Sequence, residues 1–122
     1  MATVITTKGK EIIVDRIIGN GTEPKFVAWG TGAGTAAVGD TTLFTEAAEA
    51  RVSGTSSKVT TTTTNDTYQV VGTLTAAAGK TITNAGLFDA STSGNLFIKT
   101  DFTGVVLATS DSITFTFKCQ FT

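Results

Sequence analysis

From Ile113 onward the chain alternates without a miss. Ile113, Phe115, Phe117, Cys119 and Phe121 are apolar, and Thr114, Thr116, Lys118, Gln120 and Thr122 between them are polar. A period of two belongs to a strand with one buried and one wet face. A slip of one residue would turn all those apolar side chains outward, so the register is firmly set. Further strands follow from weaker patterns. Pro24 opens a short one at Lys25–Trp29. Arg51–Thr64 reads as a long strand with a bulge at Gly54. Asn65-Asp66 is a turn signal, and Thr67–Ala77 returns with Tyr68, Val70, Gly72 and Leu74 on one side, completing a central hairpin. Gly79-Lys80 turns the chain into Thr81–Asp89. Ser91–Asn95 turns it again into Leu96–Phe102, where Leu96, Ile98 and Phe102 share a register, and Val105–Leu107 is a short apolar piece. Only Lys8–Ile18 carries helical spacing: Ile12, Ile13, Arg16 and Ile17 fall near one face, with Asn20-Gly21 as the stop. Residues 1–7 are either an edge strand or a free arm.

Strands with turn signals at this spacing predict an all-β, single-domain β-sandwich over residues 1–122, with one short N-terminal helix. Composition agrees. Thr, whose branched β-carbon suits a pleated strand, occupies roughly one position in five. Apolar residues are 40% of the chain, enough for a core, and charged residues only 16%. The net charge of −1 comes from scattered single Lys and Arg, without the basic stripe that phosphates demand. Neither nucleic acid nor an anionic membrane surface is therefore an expected partner. No apolar run approaches the length of a membrane span. The N-terminus has no charged-then-apolar leader pattern, and a single cysteine cannot make an internal disulfide, so a reducing cytosol is the expected site of assembly.

Candidate chemistry is sparse. There is no histidine, which removes the usual general base, the triads built on it and the commonest metal ligand. Cys119 falls on the apolar side of the last strand and reads as a core thiol rather than a nucleophile. Gly79-Lys80-Thr81 resembles the end of a phosphate-binding loop, but Leu74 stands where that motif needs glycine. Gly30-Thr31-Gly32-Ala33-Gly34 lacks the spacing of a dinucleotide fingerprint. Asp40, Asp66, Asp89 and Asp111 read as turn or cap residues. No ligand spacing supports calcium. The expectation is a protein that binds rather than catalyses, with no catalytic, cofactor or metal residues and no cofactor.

Two stretches suggest contact with partners. Leu43 and Phe44 follow the Gly/Ala/Thr loop Gly30–Asp40, where they either mark an interface or cap the open end of the sandwich. With Glu49 and Arg51 they form the candidate partner-binding set. Val59–Thr64, ending in consecutive threonines, reads as a polar strand: either an edge open to strand addition or a plain solvent face.

Several motifs, taken in order, resemble a known group. They are Gly9-Lys10 opening a helix, Phe26–Gly32 with the loop to Asp40–Leu43, Glu49-Ala50-Arg51-Val52, Ile82–Phe88, and Asp111-Ser112-Ile113. This order is similar to small structural proteins of tailed bacteriophage virions, most like capsid cement (decoration) proteins. The resemblance implies a jelly-roll-like sandwich assembled as a homotrimer on the outer capsid surface. There it would bridge neighbouring copies of the major capsid protein and stabilise the expanded shell by mass action. The same group includes tail and tail-fibre components, which implies an alternative: a fibre protein recognising a host receptor or glycan, with Trp29 or Tyr68 in an exposed pocket. A carbohydrate-active enzyme would instead need two carboxylates facing one cleft.

Overall fold

The computed structural model describes residues 1–122. Its elements run β1 (Thr3–Ile5), α1 (Thr7–Ile17), β2 (Phe26–Gly30), β3 (Val52–Ser53), β4 (Thr55–Val59), β5 (Thr67–Thr75), β6 (Lys80–Phe88), β7 (Leu96–Leu107) and β8 (Ser112–Gln120). Two antiparallel sheets pack face to face, one in the order β1-β7-β6-β2-β3 and the other β4-β5-β8. The all-β sandwich with one N-terminal helix is the architecture the patterns predict.

The core lies between the sheets. Val27, Trp29, Ala85 and Leu87 of the larger sheet meet Val70, Leu74, Phe117 and Cys119 of the smaller. Trp29 is 1% exposed and meets the edge of Phe115, with ring centroids 6.4 Å apart. A second, smaller cluster lies on the opposite face of the larger sheet. There Ala28, Phe88 and Leu96 are covered by Leu43, so the long segment between β2 and β3 serves as a third layer.

Within residues 1–7, Thr3–Ile5 form an edge strand, and Thr6 and Thr7 already belong to the start of the helix. Thr3, Val4 and Ile5 pair with Thr100, Lys99 and Ile98 of β7. The helix begins and ends one residue earlier than its spacing predicts because Thr6 caps it: its hydroxyl accepts the Gly9 N–H at 2.8 Å and donates to the Leu96 carbonyl. Only Gly9 and Ile12 of the helix are buried, and Ile17 is 78% exposed, so the apolar stripe seated on the core is narrower than the spacing suggested. Glycine at position 9 is required by close approach, since a β-carbon there would collide with the Phe97 carbonyl oxygen.

Three expectations change. The long strand Arg51–Thr64 is two strands in different sheets. At Gly54 the chain leaves β2's neighbourhood and crosses to β5, and a β-carbon at that corner would lie 2.5 Å from the Val70 side chain. The threonine run is not a strand: Thr60–Asp66 is a loop folded around the Asp66 carboxylate, which accepts the N–H groups of Thr61, Thr62 and Thr63. Finally, Leu96–Phe102 and Val105–Leu107 are one strand with irregular pairing. A register shift against β6 next to Phe88 separates Leu96, in the outer cluster, from Ile98, in the main core.

Candidate interaction surfaces

The four residues expected to face a partner all serve the chain's own fold. Leu43 is 4% exposed, against Phe88 and Leu96. The Phe44 backbone is fastened to β6 by the fully buried Asn84. Its N–H donates to Asn84 Oδ1 at 3.0 Å, and its carbonyl accepts from Asn84 Nδ2 at 3.1 Å. The Lys99 ammonium lies over the Phe44 ring, 3.3 Å from its centroid. Leu43 and Phe44 thus cover the outer face of the larger sheet rather than the open end of the sandwich. Burying an apolar loop against the sheet removes its surface from water without needing a partner.

Lys99 is itself 1% exposed, and it donates to Asp40 Oδ2 at 2.9 Å and to the Thr42 carbonyl at 2.8 Å. That hydrogen bond from Lys99 holds the Asp40 carboxyl below its ordinary range, against the opposing effect of its own burial. Neither Asn84 nor Lys99 figures among the sequence candidates. The signal was present, since each is a polar residue beside an apolar run, Asn84 before Ala85–Phe88 and Lys99 after Leu96–Ile98.

Arg51 grips both oxygens of Glu46 at 2.9 and 3.0 Å through Nε and Nη2. Nη1 donates to the carbonyls of Ala90 and Ser93, and the guanidinium stacks 3.5 Å over Phe88. This planar fork ties the loop before β3 to the turn after β6, a geometry lysine cannot reproduce. Glu49 accepts from Trp29 Nε1 and the Ala77 N–H, each at 3.0 Å, and from Lys80 Nζ. Burial would push its pKa up, but these donors outweigh burial and hold it at about 2.

The remaining chemistry is also internal. Asp40, Asp66, Asp89 and Asp111 each accept a backbone N–H within their own turn, from Ala37, Thr61, Asn95 and Ala108 respectively. Cys119 is buried, and burial pushes its thiol pKa up, away from the reactive thiolate. Tyr68 donates its hydroxyl to Glu23 at 2.9 Å, and burial together with Glu23 pushes its pKa up. No group of three His, Cys, Asp or Glu side chains stands close enough to hold a metal ion. No helix is long and apolar enough to cross a membrane.

Two features stay open to solvent. A groove of about 510 Å³ runs between α1 and the ends of β5 and β8, walled by Ile13, Ile17, Tyr68, Phe97 and Phe121. Tyr68 lines this groove, whereas Trp29, the other aromatic considered for glycan stacking, is buried in the core. The second open feature is β8, which pairs only with β5 and forms an edge of its sheet.

No curated protein and no solved structure matches the chain. One family model does match, described as podophage GP4 fiber I protein gp80, over residues 6–118. Those residues run from the helix cap Thr6 through α1 and every strand of the sandwich except β1 and the last residues of β8. The chain thus belongs to the podophage GP4 fiber I protein gp80 family, a family of phage structural proteins.

Proposed function

We propose that this chain is a structural component of a podophage fibre, acting through protein–protein contacts rather than turnover. The family match across nearly the whole sandwich carries the reading. It favours the fibre alternative over a cement protein on the outer capsid surface, which was the first reading of the sequence motifs. The distribution of polar groups supports a binding role. Asp40, Glu49, Arg51, Asp66 and Lys99 are each satisfied by donors or acceptors of their own chain, which leaves them structural work. With 16% charged residues, the surface also suits repeated packing against other subunits, where buried charge is costly.

Immunogold labelling of intact virions with antibody against this chain tests the proposal. Gold along the fibres is the expected result. Gold over the faces of the shell, with fibres unlabelled, would overturn it and restore the cement reading.

A further inference from the structure

The turn that leaves α1 is built tightly up to one residue and then released. The helix ends in a Schellman motif. Gly19, at φ +85°, donates its N–H to the Arg16 carbonyl at 3.2 Å, and the Asn20 N–H reaches back to the Asp15 carbonyl at 2.7 Å. Gly21 follows, also left-handed at φ +74°, and its carbonyl accepts Arg16 Nη1 at 3.0 Å. Between these anchors the peptide plane joining Asn20 to Gly21 is held at neither end. The Asn20 carbonyl accepts no bond, the Gly21 N–H donates none, and the Asn20 carboxamide has no partner in the chain. Both residues are exposed.

That freedom permits a reaction within the chain. The Gly21 nitrogen gives its proton to water or hydroxide and attacks Asn20 Cγ. The new N–Cγ bond closes a five-membered succinimide, and the Cγ–Nδ2 bond breaks to release ammonia. One water then opens the ring. Opening at Cγ leaves an ordinary aspartyl residue; opening at the Asn20 backbone carbonyl leaves an isoaspartyl residue, with the main chain rerouted through the former side chain. The attack needs a free N–H, a following residue with no side chain to shield it, and a backbone able to turn. Of the four asparagines, Asn20 alone meets all three conditions. Asn84 is fully buried and bonded to Phe44 at both ends of its amide. Asn65 precedes Asp66, whose N–H is tied to the Thr63 carbonyl at 3.1 Å. Asn95 donates Nδ2 to Asp89 at 3.4 Å and precedes the buried Leu96 of β7.

We propose that Asn20 is a site of spontaneous deamidation in the folded protein. Each event adds one carboxylate and takes the net charge from −1 to −2. The isoaspartyl product also lengthens the main chain by one carbon between the Asn20 and Gly21 nitrogens. That insertion lies beside the Arg16–Gly21 bond and three residues before Glu23, which accepts the Tyr68 hydroxyl at 2.9 Å. Arg16, Glu23 and Tyr68 all line the groove beside α1, so the change loosens one of its walls. A structural protein that is assembled once and not replaced accumulates such a change.

Peptide mapping by mass spectrometry, on the full chain held folded at mildly alkaline pH and sampled over days, tests this. Each event raises the mass of the peptide carrying Asn20 by about one dalton. Aspartyl and isoaspartyl products at Asn20 are expected, the latter accepting a methyl group from an isoaspartyl methyltransferase, with Asn65 and Asn95 at least about tenfold slower. Gly21→Ala should slow the reaction at Asn20 at least about tenfold by shielding the nitrogen. Asn20→Gln, which would need a six-membered ring, should give no product there while leaving Trp29 emission unchanged. In the isoaspartyl fraction, separated by ion exchange, hydrogen exchange at Gly19 should rise at least about tenfold as the end of α1 loosens. An Asn20 that stays intact in the folded chain and reacts only in urea would overturn the proposal, as would equal rates at Asn65 or Asn95.

Discussion

Replacing Glu49 by glutamine should remove a pH-dependent brace from the open end of the sandwich. The carboxylate joins Trp29 of β2, the Ala77 N–H beyond β5 and Lys80 of β6, so one side chain links three separate segments. Its folded pKa is depressed from an ordinary 4.5 to about 2. The stability it contributes is thus present above pH 4.5 and lost as pH falls through about 2. At about 1.4 kcal/mol per pH unit, that depression sets a ceiling of about 3.4 kcal/mol. Because the group sits at the rim of the core, solvent screening should reduce this to about 2 kcal/mol. Glutamine keeps an acceptor for the indole but leaves Lys80 without its counter-charge. At roughly 2.1 cal/mol/K per residue, a loss of about 2 kcal/mol lowers the melting temperature of this chain by about 8 °C. Urea unfolding followed by emission of Trp29, the only tryptophan, at pH 7, 4 and 2.5 measures the effect. The native chain should lose stability between pH 4.5 and 2.5 more steeply than Glu49→Gln. Asp40 and Asp66, which also have lowered pKa values, contribute to both curves equally. Parallel curves for the two proteins would refute the reasoning.

Gly9→Ala should destabilise the fold, although alanine favours a helix interior by about 1 kcal/mol, because the added methyl group meets the Phe97 carbonyl oxygen. A melting temperature at or above that of the native chain would show that α1 is not seated on β7. Asp66→Ala should free the Thr60–Asp66 loop, with hydrogen exchange at Thr61, Thr62 and Thr63 rising at least about tenfold while the sheets stay protected; unchanged exchange there would contradict the carboxylate's role in closing it. Cys119 should resist a thiol reagent at pH 8 in the folded chain and react at once in urea, since burial both covers it and keeps it protonated. Stoichiometric labelling of the folded protein would mean that β8 is not held as described.

The elements with a strong local period were legible directly. The alternation of Ile113–Phe121 placed Phe117 and Cys119 inside and Thr114, Thr116 and Lys118 outside, as observed, because a half-buried strand must repeat every two residues; Phe121 departs from it, 53% exposed beyond the end of β8. The helix was legible for the same kind of reason, and the four turn aspartates because their hydrogen bonds are local. What the sequence could not determine depends on distant partners. Gly54 reads identically as a bulge within one strand or a corner between two sheets, and only Val70 across the core decides. The seating of Leu43 and Phe44 depends on Asn84, Phe88 and Lys99 beneath them, all remote in the chain. The threonine run has ideal strand chemistry, yet Asp66 folds it into a loop, since a carboxylate accepting several backbone N–H groups outweighs a weak local propensity. The position of β8 was hidden in the same way. Its pattern specifies which face is dry, but a sheet edge is a property of strand order, and strand order is fixed only when the whole chain has packed.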